Sequence, residues 1–513
     1  MMAAQQQDRQ WLLSDLLMGI AEIEPAQDCP ISGLSLDSRM VESGTLFLAC
    51  SGGSFHGLEF VPQAATNGAA AVVCEPNDEW SQERISALAE GLAIPAIVVP
   101  GLASRVSGLA ARFYGDPSHA VDVIGVTGTN GKTSCTQFLA QALGEETPCG
   151  IIGTLGNGFA GALKAGRHTT PEPVELQATL ADLRQQGAKA VALEVSSHAL
   201  DQGRAAAVHI DTAVLTNLSR DHLDFHGTMA DYAAAKRRLF RHPDLRCAVL
   251  NLDDPFGWEL LNALPQGVQA VVYGLARPED ALPDRVAAWL WATQTNPVSE
   301  GMHIRVESSW GDGAFTSPLL GRFNVSNQLA VLAVLLERGM PMSEALKRLA
   351  AQQTVPGRME RFGGGEQPLV VVDYAHTPDA MEQAIQALRP HTEGHLICLF
   401  GCGGERDKGK RPLMGAVAAR LCDAVILTDD NPRREDGDQI ISDILAGTGK
   451  QEHIQVERNR ANAIRQAITE ARPGDLVLIG GKGHEAYQQY GELRLPFSDR
   501  EQVQAVLTGE ADQ

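Results

Sequence analysis

Residues Gly125-Val-Thr-Gly-Thr-Asn-Gly-Lys-Thr-Ser134 constrain this chain more than any other stretch. They follow an apolar run, Val121-Asp-Val-Ile124, and lead into a helically patterned segment, Cys135–Leu143. Strand, glycine loop and helix in that order form a phosphate cradle. The glycines let backbone N–H groups converge on an anion, the helix N-terminus adds its positive dipole end, and Lys132 supplies a mobile charge. Thr133 places a hydroxyl where a magnesium ion bridging phosphates would sit. A strict G-x-x-x-x-G-K-[ST] pattern requires glycine at 126, where this chain has Val126, so the spacing Gly125, Gly128, Gly131 is a tighter variant. The stretch reads as an ATP-binding loop.

A chain of 513 residues exceeds one core and predicts about three domains. With 44% hydrophobic and 20% charged residues it is globular rather than disordered. A net charge of −21 argues against non-specific nucleic-acid binding. The nine cysteines are scattered without a C-x-x-C pair, and Cys50, Cys74, Cys247 and Cys398, in or beside apolar runs, read as small core residues of a reducing compartment. No signal peptide or apolar run of membrane-spanning length is visible, so the expected location is the cytoplasm, with no stable membrane insertion.

Fold class follows from alternation. Thr45–Ala49, Ala69–Cys74 and Ile94–Val99 are short apolar runs between polar or helical stretches, which predicts a small N-terminal α/β unit. After the glycine loop, Ala190–Val195, Thr212–Asn217, Cys247–Asn251 and Val268–Tyr273 predict a mostly parallel sheet buried on both faces. Ligands of such sheets collect at the carboxyl ends of the strands. Glu194, Ser196, Ser197 and His198 follow one strand there, and Asn217, Arg220, Asp221 and His222 follow the next. Residues 275–320 are weakly patterned and yield no site. From about Val355, strands Leu369–Asp373, His395–Phe400, Ala424–Thr428 and Asp475–Ile479, with a helix over Pro378–Leu388, predict a Rossmann-like C-terminal unit. The expected boundaries are 1–102, 103–353 and 354–513.

Single residues are more ambiguous. Glu194 at a strand end beside a phosphate loop is the usual place for a magnesium ligand, whereas a lone His222 is more often structural. Lys236, on the helical segment Tyr232–Lys236, reads by default as a solvated surface lysine. Arg358 and Arg361, Arg406 to Arg411, Arg433 and Arg434, and Lys482 are basic residues in loops, suited to anionic groups or merely to surface charge. Asp430-Asn-Pro-Arg433 is sharper, because Asn-Pro fixes a turn that orients Arg433. His376, after a strand, either meets nucleotide or caps the next helix.

Taken together, the glycine loop, Thr169-Thr-Pro171, Glu194-Val-Ser-Ser-His198, Thr216-Asn-Leu-Ser-Arg-Asp-His-Leu-Asp224, Asn324-Val-Ser-Asn327, Gly357-Arg-Met-Glu-Arg361 and Asp373-Tyr-Ala-His376 resemble the Mur ligases of peptidoglycan synthesis. Asp430-Asn-Pro-Arg433 and Gly481-Lys-Gly-His-Glu485 resemble, more narrowly, the branch that adds meso-diaminopimelate to UDP-N-acetylmuramoyl-L-alanyl-D-glutamate. The resemblance implies a UDP-binding domain, a central P-loop ATPase domain and a C-terminal amino-acid-binding domain, acting as a monomer on small molecules. It implies ATP contacts at Gly128, Thr129, Asn130, Gly131, Lys132, Thr133, Ser134, Asn327, Arg358, Asp373 and His376. Leu36 and Ser38 are implied to contact uridine, with Gly53, Ser54 and Phe55 nearby. Thr169, Thr170, Ser196, Gln202 and Arg204 are implied to hold the muramoyl dipeptide. Arg406, Asp430, Asn431, Pro432, Arg433, Gly481 and Glu485 match the diaminopimelate site. Lys236 matches a lysine carbamylated in the family, which reverses the surface reading. With Thr133, Glu194 and His222 its carbamate would hold magnesium at two sites, and Lys132, Lys236, Glu194 and His222 are the implied catalytic set. Competing possibilities are a folylpolyglutamate synthase, a lysine-adding relative and a non-catalytic nucleotide-binding regulator.

Overall fold

Runs of apolar residues too continuous to face water on either side become the central strands of two large sheets, and a smaller sheet precedes them. The structure, a computed structural model, describes residues 11–509 apart from 53, 54, 93, 145, 299, 300, 450 and 451. The first sheet is parallel throughout, in the order β1 (Gly33–Ser35), β2 (Thr45–Ala49), β3 (Ala71–Cys74), β4 (Ala96–Val98). Alternate residues go to opposite cores: Leu46, Leu48 and Val73 to one, Phe47, Ala49 and Val72 to the other. β4 starts only after Pro95, which has no N–H to give a ladder.

The central sheet is built on β5 (Asp122–Thr127), which feeds the glycine loop and then helix α1 (Lys132–Leu143). The other strands follow as β6 (Cys149–Gly153), β7 (Gly156–Gly158), β8 (Ala190–Glu194), β9 (Thr212–Leu215), β10 (Cys247–Asn251), β11 (Gln269–Gly274), β12 (Val286–Val298), β13 (Gly301–Ser308) and β14 (Gly313–Ser317). Their spatial order is β14-β13-β12-β11-β10-β9-β5-β8-β6-β7. β5 therefore lies between β8 and β9, parallel to both, and Glu194 at the end of β8 and the loop carrying Asn217 flank the glycine loop. Residues 275–320 are not featureless: β12, β13 and β14 form an antiparallel meander that extends the sheet. Met302, Ile304 and Val306 of β13 point into the core while His303 and Arg305 point outward, and such one-sided strands lack the long apolar runs of parallel ones.

Helix α2 (Met229–Arg237) lies near the glycine loop, and α3 (Arg322–Glu337) is buried continuously from Val325 through Leu336 save for Ser326. α3 is apolar around most of its circumference because it packs between α1 and the sheet. That packing carries Asn327 to Gly131.

The last large sheet comprises β15 (Glu360–Gly363), β16 (Leu369–Asp373), β17 (Leu396–Phe400), β18 (Ala424–Leu427), β19 (Ile454–Val456) and β20 (Leu476–Gly480), in the order β15-β16-β20-β17-β18-β19. Only β15 runs antiparallel, and hydrophobic cores cover both faces. Helix α4 (Pro378–Leu388) occupies the predicted residues. Two wholly buried groups tie the end of the chain to this sheet. Arg460 donates to both Asp499 oxygens, at 2.7 and 2.8 Å, and to the Gly480 carbonyl at 2.9 Å. Arg460→Ala leaves the Asp499 carboxylate buried without its partner and is expected to cost about 3–5 kcal/mol. Urea unfolding measures this, and a loss below about 1 kcal/mol would contradict the pairing.

Candidate active site

The carboxyl ends of β5, β8, β9, β10 and β16 open on one cleft of about 1030 Å³, beside a smaller cavity of about 250 Å³ bounded by loops after β9, β16, β17, β18 and β20. The glycine loop shapes the large cleft. Gly128 has φ 155° and Gly131 φ 86°. A Cβ at Gly128 would stand 1.8 Å from Thr216 Oγ1, and one at Gly131 2.5 Å from Asn327 Oδ1. Asn217 Oδ1 accepts the Asn130 N–H at 2.9 Å, so β9 sets the loop's shape. Gly128→Ala forces the loop away from Thr216. It is expected to weaken ADP binding by about tenfold or more, and calorimetry giving unchanged affinity would contradict this packing.

Two lysines meet at this loop. Lys132 Nζ donates to the Gly128 and Thr129 carbonyls at 2.8 and 2.9 Å. Lys236 Nζ also donates to the Gly128 carbonyl, at 2.7 Å, and lies 4.5 Å from the centre of the Tyr232 ring. Lys236 is not a surface residue: only 1% of it is exposed. Tyr232, Ala235 and Lys236 are one helical turn apart and form the inward face of α2. Burial pushes the Lys236 ammonium well below its ordinary pKa, and the Lys132 charge pushes further. Glu194, equally buried, accepts from Thr133 Oγ1 at 3.0 Å and from Thr154 N and Oγ1 at 2.9 and 3.1 Å. Among the described residues no cation is ion-paired with this carboxylate.

His222 sits next to α2's aromatic face with a left-handed φ of 54°. Asp221 stands between His222 Nε2 at 3.4 Å and His376 Nε2 at 3.7 Å. Burial would raise the Asp221 carboxyl, but His376 and His222 hold it well below the ordinary range. His376 does not cap α4; Thr377 does, through the Ala380 N–H. Burial holds the imidazoles of His222 and His484 down to about 3. Both stay neutral in the folded chain while an unfolded histidine takes a proton near pH 6.5. Stability is therefore expected to fall as pH drops from about 6.5 toward 3. Denaturant titrations at pH 7 and 5 check the sign, and greater stability at pH 5 would contradict it.

The remaining expected nucleotide contacts, Thr129, Asn130, Ser134, Asn327, Arg358 and Asp373, all line the large cleft. Arg358 stacks on Tyr374 at 4.2 Å and donates to Thr133 Oγ1 at 3.3 Å, and Asp373 accepts the Met359 N–H at 2.8 Å. Thr169, Thr170, Ser196, Gln202 and Arg204 form one connected group. Thr170 Oγ1 donates to the Glu194 carbonyl at 2.7 Å and accepts the Ser196 N–H, while Arg204 holds the Thr170 carbonyl, Gln202 Oε1 and Glu172. Thr169 reaches Thr154 at 3.0 Å. Leu36 is half-buried, Ser38 bonds Gln63 at 2.7 Å, and Phe55 is exposed. Arg167 lies 3.5 Å from Asp37 and links the Leu36–Ser38 loop to the Thr169 loop. Gly53 and Ser54 lie outside the described residues.

Arg406, Asp430, Asn431, Arg433, Gly481 and Glu485 line the small cavity, and Pro432 lies in the same turn. Arg433 has φ 52°, its N–H donates to the Gln489 carbonyl at 3.0 Å and its Nη1 to the Gly404 carbonyl at 2.6 Å. Among the described residues no carboxylate is ion-paired with Arg433 or Arg406. The other basic loop residues divide differently. Arg411 is buried against Glu435 and Asp443, Arg434 pairs with Glu492, Lys482 pairs with Glu485, and Arg361 lies outside both cavities.

Comparison with known proteins decides the family. Residues 126–335 match the Mur ligase middle domain, 357–483 the Mur ligase glutamate ligase domain, and 30–114 the Mur ligase family catalytic domain. The UDP-N-acetylmuramoyl-L-alanyl-D-glutamate--2,6-diaminopimelate ligase of Ectopseudomonas mendocina is 52% identical over 472 residues, covering 91% of this chain and 93% of the relative. This chain belongs to the Mur ligase family. The ligase of the same name from Pseudomonas aeruginosa is 50% identical over 484 residues, covering 94% and 96% of the two chains. A solved structure of a ligase of that name superposes on this Mur ligase with a TM-score of 0.67 at 35% identity, covering 98% and 99%. The chain is accordingly an enzyme, an ATP-dependent ADP-forming ligase.

Sequence reasoning did not single out Thr154, Arg167 or Tyr374 as site residues of this Mur ligase, although they line its cavities. Thr154 had one available signal, its place directly after β6, beside the strand that ends in Glu194. Tyr374 stands within the quoted Asp373–His376 motif and borders both cavities. Arg167 is a long-range contact with no local signature.

Proposed function

We propose that this chain joins meso-diaminopimelate to the D-glutamyl γ-carboxylate of UDP-N-acetylmuramoyl-L-alanyl-D-glutamate during cytoplasmic synthesis of peptidoglycan precursors. The carrying observation is Arg433, a half-buried guanidinium without a carboxylate partner among the described residues, in a cavity that shares Asp221, His222, Tyr374, His376 and Arg406 with the phosphate-loop cleft. A carboxylate is a poor acyl donor at neutral pH and requires activation. The γ-carboxylate oxygen attacks the γ-phosphorus of ATP, the bond to the β-phosphate oxygen breaks, and acyl phosphate and ADP result. Lys132, released from its loop carbonyls by the anion, follows the charge on the transferred phosphoryl group. The amine of diaminopimelate then attacks the acyl carbon, loses its proton, and phosphate leaves as the amide forms. Arg433 pairs with the distal carboxylate, and an acceptor lacking it leaves a guanidinium unpaired. The Thr169–Arg204 group holds the dipeptide, and the Leu36–Ser38 loop, with Phe55, the uridine.

The donor set suits magnesium. Thr133 and Glu194 present hard oxygens in one buried contact, no cation is ion-paired with Glu194 among the described residues, and His222 lines the same cleft. Lys236 is the proposed carbamylation site, since burial favours the neutral amine, whose lone pair attacks carbon dioxide, losing a proton as the N–C bond forms. Its carbamate oxygens would join Thr133, Glu194 and His222. When bound, magnesium neutralises phosphate charge and orients the γ-phosphoryl group.

Oxygen labelling tests the route. With both γ-carboxylate oxygens of the dipeptide as ¹⁸O, mass spectrometry is expected to find one heavy oxygen in each released phosphate. Phosphate without label would contradict the acyl phosphate.

A further inference from the structure

Lys482 does not itself line the amino-acid cavity, but it is bonded to two residues that do, Asn431 and Glu485, and the reaction above leaves it without a task. It follows β20, and its side chain is wholly buried. Nζ donates to Glu485 Oε2 at 2.9 Å and to Asn431 Oδ1 at 3.2 Å. Asn431 Nδ2 donates to that same Glu485 oxygen at 2.8 Å, and Asn431 Oδ1 accepts the Gln489 N–H at 2.9 Å. These bonds fix both side chains. Two donors converging on Asn431 Oδ1 leave the amide only one orientation, with Nδ2 toward Glu485. Glu485 Oε2 is thereby occupied twice, while Oε1 has no hydrogen-bond partner among the described residues and Glu485 lines the cavity.

Two effects of Lys482 oppose each other. Its charge cancels part of the attraction of Glu485 for an ammonium group. Its hydrogen bonds remove the rotamer freedom that Glu485 would otherwise lose on binding. The converging, fully buried geometry favours the second. We infer that Lys482 is a positioning residue for choice of the acceptor. Acting through Asn431 and Glu485 Oε2, it presents Glu485 Oε1 to the ammonium group of an amino acid whose carboxylate Arg433 takes. The inference rests on the diaminopimelate reading and assigns Lys482 no contact with substrate.

Steady-state phosphate release by the full chain tests it, with Lys482→Met, Glu485→Gln and the double variant. Lys482→Met is expected to raise the KM for diaminopimelate on the order of ten- to a hundredfold. The KM for ATP stays unchanged, and the double variant is no worse than Glu485→Gln alone. A parallel rise in both KM values, or losses that multiply in the double variant, would overturn the inference. If Lys482→Met does not fold, Lys482→Gln replaces it, and an unaltered diaminopimelate KM there is equally fatal. Should the unmodified protein use only a different amino acid, the reading of the acceptor fails, and the same variants test Lys482 with that amino acid.

Discussion

Replacing Lys236 with alanine is expected to lower kcat by about 10³-fold while the chain stays folded. The side chain donates one hydrogen bond, to the Gly128 carbonyl, so stability should change by only about 1 kcal/mol. Its amine is held well below its ordinary pKa by burial and by Lys132. A cation placed there only to balance charge would be disfavoured by the same surroundings. Conversion to a carbamate would turn a hydrogen-bond donor into a pair of anionic acceptors beside the phosphate loop. A small carboxylate such as formate, added to Lys236→Ala, is therefore expected to restore part of the activity. Full activity of the variant without any addition would show that Lys236 has no part in the chemistry.

Arg433→Ala is expected to reduce kcat/KM for diaminopimelate by about 10³-fold with little change in the KM for ATP. The guanidinium is aimed by its surroundings. The Arg433 N–H is taken by the Gln489 carbonyl, the Gly491 N–H binds the Arg433 carbonyl at 2.7 Å, and Nη1 is anchored on Gly404. Loss of the side chain removes the Gly404 contact but leaves the two backbone contacts in place, so the defect should concentrate on the acceptor. Arg433→Lys keeps the charge and loses the planar fork, and should recover only part of the rate. Equal damage to ATP and diaminopimelate use would mean that the turn serves the fold alone.

Much of this was legible in the chain, and the reason is physical. Strands buried on both faces, such as Cys247–Asn251 and Leu369–Asp373, are continuous apolar runs and occupy the expected residues. The glycine loop was legible because φ values like those of Gly128 and Gly131 demand glycine. The meander from Val286 to Ser317 was not, because one of its faces is polar and local patterning fades. Nor was the burial of Lys236, since Ala233, Ala234 and Ala235 before it give no sign of which side of α2 turns inward. Family resemblance reversed that reading; residue patterning alone did not. The basic loops show the same limit. Arg411 and Arg433 look alike in sequence, but Arg411 is buried between Glu435 and Asp443, and only the fold brings those carboxylates to it.

The most direct measurement is phosphate release from ATP in the presence of magnesium and UDP-N-acetylmuramoyl-L-alanyl-D-glutamate, with meso-diaminopimelate or L-lysine as the acceptor. Release with diaminopimelate and little with lysine is the expected result, since only the former offers Arg433 a second carboxylate. Equal release with both would contradict the role given to Arg433, and no release with either would contradict the ligase reaction proposed for this chain.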